Sequence, residues 1–200
     1  MMGLLALVIA YLLGSIPFGY LLVRWKTGED VRDKGSGNIG ATNVLRTTGR
    51  SIAVATLVLD IAKGAVAVWV AGKLSDDAPL WMSLAALAVM AGHAYPVFLK
   101  FQGGKAVASF IGAFLYLTPI PMTAALVLFV IVVAATRQIS TGSIVAAGSL
   151  PLAVWLIEHA PGAVLLASIA AAVFVIYRHR GNIGRIRAGT ENVFRFGNPR

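Results

Sequence analysis

Seven apolar runs alternate with short polar breaks along the chain, at about residues 2–23, 51–72, 80–99, 106–118, 121–136, 143–157 and 162–177. The breaks read RWKTGEDVRDKGSGN, KLSDDAP, KFQGGK, TPIP, RQISTG, EHAPG and RHRGNIGRIR. Several runs approach or exceed the roughly 18 apolar residues that mark a helical span. The pattern predicts an all-α integral membrane protein, a single polytopic domain over 1–200. One division is open on pattern alone. Residues 106–136 form either one long tilted helix or two helices broken at Pro119 and Pro121, because proline clashes with the preceding turn and lacks a donor.

Charge decides that division through the rule that cytoplasmic loops carry the excess of Lys and Arg. With seven spans, segments 24–50, 100–105, 137–142 and 178–200 share one side. That side then holds Arg24, Lys26, Arg32, Lys34, Arg46, Arg50, Lys100, Lys105, Arg137, Arg178, Arg180, Arg185, Arg187, Arg195 and Arg200. The other side keeps Lys73, beside Asp76 and Asp77, and Glu158. Six spans would set the arginine-rich tail opposite the basic first loop. The expectation is seven transmembrane helices, N-terminus outside and C-terminus cytoplasmic. The N-terminal run lacks a basic leader and a small-x-small cleavage site, so it reads as a retained first span. The fourth and sixth runs are short: about 14 residues at 1.5 Å each cover near 21 Å of a core of roughly 30 Å. These helices are expected to begin below the membrane surface, with FQGGK and RQISTG dipping inward around a cytoplasmic-side active site.

Composition agrees. Hydrophobic residues make up 58% of the 200 and charged residues 12%, against roughly 25% charged in a soluble domain, and mean hydropathy is +0.81. The absence of cysteine excludes disulfides and thiolate metal sites. The formal charge of +9 sits between the apolar runs, which points to membrane lipids of an anionic leaflet and away from nucleic acid.

GSGNIG at 35–40 matches G-x-G-x-x-G, and Asp60 lies twenty positions beyond its last glycine. A dinucleotide loop must follow a buried strand. Here the charged GEDVRDK precedes it, and Asp60 belongs to the apolar run SIAVATLVLDIAKGAVAVWVAG. The nucleotide reading fails. Asp60 and Lys63 share a helical face, where charges within a span are either functional or an ion pair that fixes packing. The glycines keep a physical role: they let backbone approach an anion, next to a helix start expected over Thr42–Ser51, with Arg46 one turn in. The same arrangement recurs at Gly103-Gly104-Lys105 and at RHRGNIGR, 178–185. Three such loops on one face favour a ligand with more than one phosphate, or two ligands.

SGNIGATNVLRTTG (36–49), GHAYPVFLKFQGGKAVA (92–108) and RHRGNIGRIRAGTEN (178–192) resemble, in order and spacing, the three motifs of the bacterial acyl-phosphate:glycerol-3-phosphate acyltransferases, the PlsY family. The resemblance implies a seven-span enzyme of the bacterial inner membrane with its active site facing the cytoplasm. It implies transfer of a fatty acyl group from acyl phosphate to the 1-hydroxyl of glycerol 3-phosphate, without acyl carrier protein or coenzyme A. It implies catalytic roles for Ser36, Arg46, Lys105, His179 and Asn182, and phosphate or substrate contacts from Gly35, Gly37, Asn38, Gly40, Thr42, Asn43, Gly103, Gly104 and Ser143. Asp60, Lys63, His93 and Glu191 are expected to be structural near the site, Glu191 by holding the tail. The proton of the attacking glycerol hydroxyl goes to His179, to His93, or to an oxygen of the acyl phosphate; the third route is favoured because no Ser-His-Asp pattern is visible. His93 is otherwise a helix-end histidine satisfied by backbone.

Other classes are weighed by cheap features. Acyl-CoA and carrier-protein enzymes carry His-x4-Asp, whereas His93 is followed by Phe98, His159 by Val164 and His179 by Gly184. A small transporter of a phosphorylated solute would also use short helices aimed at anions, but the basic loops all open to one side. Headgroup contact alone accounts for the charges and not for paired glycines. No cofactor and no metal are expected, since carboxylates and histidines are not clustered.

Overall fold

In the computed structural model, which describes residues 1–193, the chain is helical and has no strand among the described residues. Arg195 and Arg200, counted above in the basic tail, lie outside that range. The helices are α1 (Met2–Ser15), α2 (Phe18–Thr27), α3 (Ala41–Thr47), α4 (Arg50–Leu74), α5 (Pro79–Ala94), α6 (Val107–Leu117), α7 (Pro119–Thr136), α8 (Ile139–Ala153), α9 (Gly162–Arg178) and α10 (Arg180–Arg187). Among the described residues, five segments are long and apolar enough to cross a membrane: Met2–Thr27, Arg50–Leu74, Pro79–Leu99, Pro119–Thr136 and Ile139–Glu158. A sixth follows if α9 and α10, bent by 58°, count as one span. Each of the seven apolar runs thus contains a helix. By length, however, α6 remains short: 11 residues rise about 16 Å. The break at Pro119 is real, and Pro119 opens α7 at a position where a missing N–H costs nothing.

Three sequence expectations are corrected. The first run is not continuous: it breaks at Ile16–Pro17 between α1 and α2, where proline cannot carry the helical hydrogen bond onward. The sixth helix does not start at 143. It starts at Ile139, and a π turn over Val154–Glu158 extends it, so STGS is helical and RQISTG is no dipping loop. Finally, 178–185 is not a glycine loop, because Gly181 and Gly184 lie inside α10.

The chain divides into two compact units, Met1–Leu117 and Thr118 onward. In the first, helices approach closely where glycine removes a side chain. A Cβ on Gly14 or Gly92 would fall on the backbone of Val89 or Tyr11, and one on Gly64 or Gly112 on that of Ser109 or Ile61. Small residues at such contacts are how helices pack without a hydrophobic drive between them. Phe110 and Phe114 tilt against each other beside this seam, centroids 5.2 Å apart.

Two charges are buried in the same unit. Lys63 Nζ stands 2.7 Å from Asp60 Oδ1, three residues back on α4. It donates to the Ile16 carbonyl at 2.8 Å, an oxygen at the Pro17 break, and lies 5.6 Å from the centre of the Phe18 ring. Lys63→Met alone would take away the ammonium 2.7 Å from the buried Asp60 carboxylate, so a loss of about 3–5 kcal/mol is expected. Asp60→Leu/Lys63→Met should recover most of it, as measured by thermal unfolding in detergent.

Candidate active site

Residues 28–49 run from the end of α2 to the start of α4, and apolar plugs hold them down. Val31, Ile39 and Val44 are buried in one cluster with Val23, Ala53 and Leu99. Above these plugs, Arg32 grips Asp30 through two nitrogens, at 3.0 and 2.6 Å, and lies 5.4 Å from the centre of the Tyr20 ring. The hydrogen-bonded guanidinium holds the Asp30 carboxyl below the usual carboxylate range. Lys34 pairs with Glu29 at 2.6 Å. The run EDVRDK is therefore self-paired, apart from Asp33.

Asn43 is the centre of the glycine loop. Its buried amide nitrogen donates to the carbonyls of Val31, Lys34 and Asn38 at 3.1, 3.0 and 2.9 Å. Its Oδ1 accepts the Ser36 N–H at 2.8 Å. Gly35, at φ +62°, passes so close that a Cβ would strike that oxygen. Asn38 Oδ1 accepts from the Gly40 N–H at 2.8 Å and the Gly37 N–H bonds to Lys34, so these amides also stay inside the loop. Two expectations change. Asn43 braces the loop where a phosphate donor was expected, and the amides of Ser36, Gly37 and Gly40 are not offered to an anion. Helix α3 has seven residues, Ala41–Thr47, and not ten, too few for its dipole to carry the argument. What the loop presents is Ser36 and Arg46, both exposed, with Thr42 half-buried beside them.

Asn43→Ala should therefore disarm the loop without touching ligand. A reacting group displaced by about 1 Å can lose a hundredfold in rate, and a loss of that order is expected in turnover. Asn43→Asp should not rescue it, because a carboxylate oxygen would then face three carbonyls.

Gly103 and Gly104 lie against His93. A Cβ on Gly103 would meet the His93 carbonyl, one on Gly104 would meet its ring, and the Gly104 N–H donates to the His93 carbonyl at 3.0 Å. Lys105 follows, half-buried. Leu99, six residues earlier, sits in the cluster that holds Val31, Ile39 and Val44, so both loops of this unit rest on one foundation. The His93 ring faces two side chains: Nδ1 is 3.2 Å from Ser109 Oγ and 3.6 Å from Asp60 Oδ1.

In the second unit, His179 joins α9 to α10, buried, with Nδ1 2.8 Å from the Val175 carbonyl. A carbonyl only accepts, so Nδ1 carries the proton. Asn182 lies on the first turn of α10, and its amide donates to Glu191 Oε1 at 2.7 Å. Ser140 donates to the same oxygen at 2.9 Å, and Arg185 Nε to Oε2 at 2.8 Å. Glu191 thus ties α8, α10 and the following chain together. Burial pushes its carboxyl up, but the bonds from Asn182, Ser140 and Arg185 prevail and hold it below its usual range. Ser143, one turn beyond Ser140, is buried and donates to the Ile139 carbonyl at 2.9 Å. Sequence reasoning missed Ser140, Ser109 and the pairing role of Arg185. Nothing local marks any of the three, since each acquires meaning from a partner at least six residues away.

A sequence model described as glycerol-3-phosphate acyltransferase matches residues 4–197. A glycerol-3-phosphate acyltransferase of Geobacter sulfurreducens is 50% identical over 192 residues, 96% of this chain and 97% of that protein. Another from Geotalea daltonii is 46% identical over 186 residues, 93% and 94% of the two chains. Among solved structures, PlsY (YgiH), an integral membrane glycerol 3-phosphate acyltransferase in its glycerol 3-phosphate form, superposes with a TM-score of 0.92 at 36% identity, covering 98% of this chain and 96% of that one. Its lysophosphatidic acid form gives 0.88 at 34% identity, with the same coverage.

Proposed function

The chain belongs to the glycerol-3-phosphate acyltransferase family, and from that premise we propose that it moves a fatty acyl group from acyl phosphate to the 1-hydroxyl of sn-glycerol 3-phosphate. The products are 1-acylglycerol 3-phosphate and inorganic phosphate, the first acylation of bacterial phospholipid synthesis. The observation that carries this reading is the whole-length match, which includes a solved relative in a glycerol 3-phosphate form.

The chemistry suits the residues. Acyl phosphate is a mixed anhydride with a good leaving group, so no protein nucleophile is needed. The glycerol hydroxyl oxygen attacks the acyl carbon, the bond from that carbon to the phosphate oxygen breaks, and phosphate leaves carrying the hydroxyl proton. Arg46 neutralises phosphate charge through its planar fork and Lys105 as a compact charge. Ser36 donates to a phosphate or to the attacked carbonyl, with Thr42 as a further donor. Gly35, Gly37, Asn38 and Gly40 shape their loop around Asn43. Asn182, His179 and Ser143 are further polar groups assigned to the reaction in this reading. A phosphate oxygen takes the proton in this reading, because the acyl phosphate brings an acceptor to the reacting atoms and no Ser-His-Asp pattern is visible. With Nδ1 protonated toward Val175, Nε2 is the nitrogen of His179 that the rival route would use. His179→Ala that folds and binds both substrates yet loses essentially all turnover would favour the histidine route instead.

The finer topology belongs to the same proposal: one catalytic domain over the whole chain, seven spans, N-terminus outside, tail and active site on the cytoplasmic face of the inner membrane. Its support is the one-sided distribution of Lys and Arg. Because the chain has no cysteine, single cysteines introduced at Lys34 and Asp76 should label from opposite sides of the bilayer. Labelling from one side would refute the orientation.

The reaction is tested with purified protein in detergent or lipid mesophase. Phosphate release from acyl phosphate should require glycerol 3-phosphate and proceed without coenzyme A or acyl carrier protein. Solute flux in proteoliposomes without phosphate release would replace the enzyme by a transporter.

A further inference from the structure

Asp60, Lys63 and His93 are buried in the first unit, and the reaction proposed above uses none of them. They nevertheless form a continuous line. It starts at the Ile16 carbonyl, passes to Lys63 at 2.8 Å and to Asp60 at 2.7 Å, and reaches His93 Nδ1 at 3.6 Å, with Ser109 Oγ on the same nitrogen at 3.2 Å. The line ends under Gly103 and Gly104. The His93 carbonyl accepts the Gly104 N–H, and the imidazole occupies the space that a Cβ on Gly104 would need.

Around this contact the backbone is held in left-handed conformations at residues other than glycine: Lys100 at φ +51°, Phe101 at +62° and Ala106 at +61°. Such conformations persist only where surrounding structure over-determines them, and they gather at functional sites. The segment that carries Lys105 is therefore imposed by what lies beneath it. Paired glycines are needed there because the imidazole and the His93 carbonyl stand where side chains would.

We propose that His93 is a positioning residue for Lys105: its ring and carbonyl form the seat of the Gly103–Gly104 turn, with Ser109 Oγ hydrogen-bonded to the ring and Asp60 facing it. The seat fixes where the Lys105 ammonium meets the phosphate of glycerol 3-phosphate. This rests on the reading of Lys105 as a phosphate-holding group. A side chain that acts through a binding group should change affinity and leave the saturated rate alone, whereas simple packing would lower stability with no such division.

The test compares wild type, His93→Gln and the milder Ser109→Ala, purified in detergent. It reads glycerol 3-phosphate affinity by calorimetric titration, KM and kcat for acyl transfer, and Tm. For His93→Gln, affinity should weaken and KM should rise by roughly ten- to a hundredfold, with kcat within about threefold of wild type. Ser109→Ala should shift the same two quantities in the same direction by less. His93→Gln/Lys105→Ala should bind no more weakly than Lys105→Ala, because the first change acts only through the second residue.

Unchanged affinity and KM in folded His93→Gln, fully additive losses in the double variant, or a collapse of kcat at unchanged KM would each overturn the assignment. Should His93→Gln fail to fold, Ser109→Ala decides by the same criterion. Wild-type protein that binds glycerol 3-phosphate but transfers no acyl group would refute the reaction and not the seat. Normal binding by His93→Gln beside an active wild type would do the reverse. Wild-type protein that binds no glycerol 3-phosphate would overturn both.

Discussion

Arg46→Ala is expected to lower kcat/KM for acyl transfer by about a hundred- to a thousandfold, the usual cost of removing one preorganised group from the place where charge develops. Arg46 is exposed on α3, and the loop beneath it is braced by Asn43 and by the buried Val31, Ile39 and Val44. An exposed side chain on a braced frame can be removed without cost to the frame, so Tm should stay at its wild-type value. Arg46→Lys keeps the charge and loses the two-pronged donor, and it should recover only part of the rate. The measurement is glycerol 3-phosphate-dependent phosphate release. Turnover within about threefold of wild type in Arg46→Ala would remove this residue from the chemistry, since charge-assisted contacts are not that weak.

The helical architecture was legible because its cause is local. Apolar length marks the spans and proline marks the break between α6 and α7. The interruption at Ile16–Pro17 carried the same proline signal but sat inside a run long enough to look continuous. The GNIG repeat shows where local signals end. At 37–40 the letters form a turn because Asn43 collects the carbonyls around them and Ile39 is pulled into the core. At 181–184 they are helical because α10 continues on from His179 and Asn182 faces Glu191. Four residues cannot encode that choice. The buried pair of Asp60 and Lys63 was visible as a spacing, since helical periodicity brings residues three apart together. Their extension to His93 and Ser109 was not, because it crosses from α4 to α5 and α6. The glycine pair at 103–104 was read as an anion loop, and its closer cause is the imidazole beneath it.

The second large effect is expected at Glu191. Its side chain is nearly inaccessible and accepts from Ser140, Asn182 and Arg185. Glu191→Ala leaves a buried amide and a buried hydroxyl without this acceptor, and a loss of about 2–4 kcal/mol is expected, the half-exposed Arg185 adding little. Activity should fall further than stability accounts for, because Asn182 would lose the bond that orients it. Glu191→Gln separates charge from shape. The carboxyl is held below its ordinary value of 4.5 in the folded chain. Its contribution is therefore complete above that value and fades as pH falls below it, through the lower folded pKa. Tm of the wild type should drop on acidification through this window, and Glu191→Gln, already lower near neutrality, should drop less. Asp30, held low by Arg32, titrates in both proteins, so the difference between their profiles isolates Glu191. Parallel profiles would show that the carboxylate charge at this junction contributes nothing to holding α8 and α10 together.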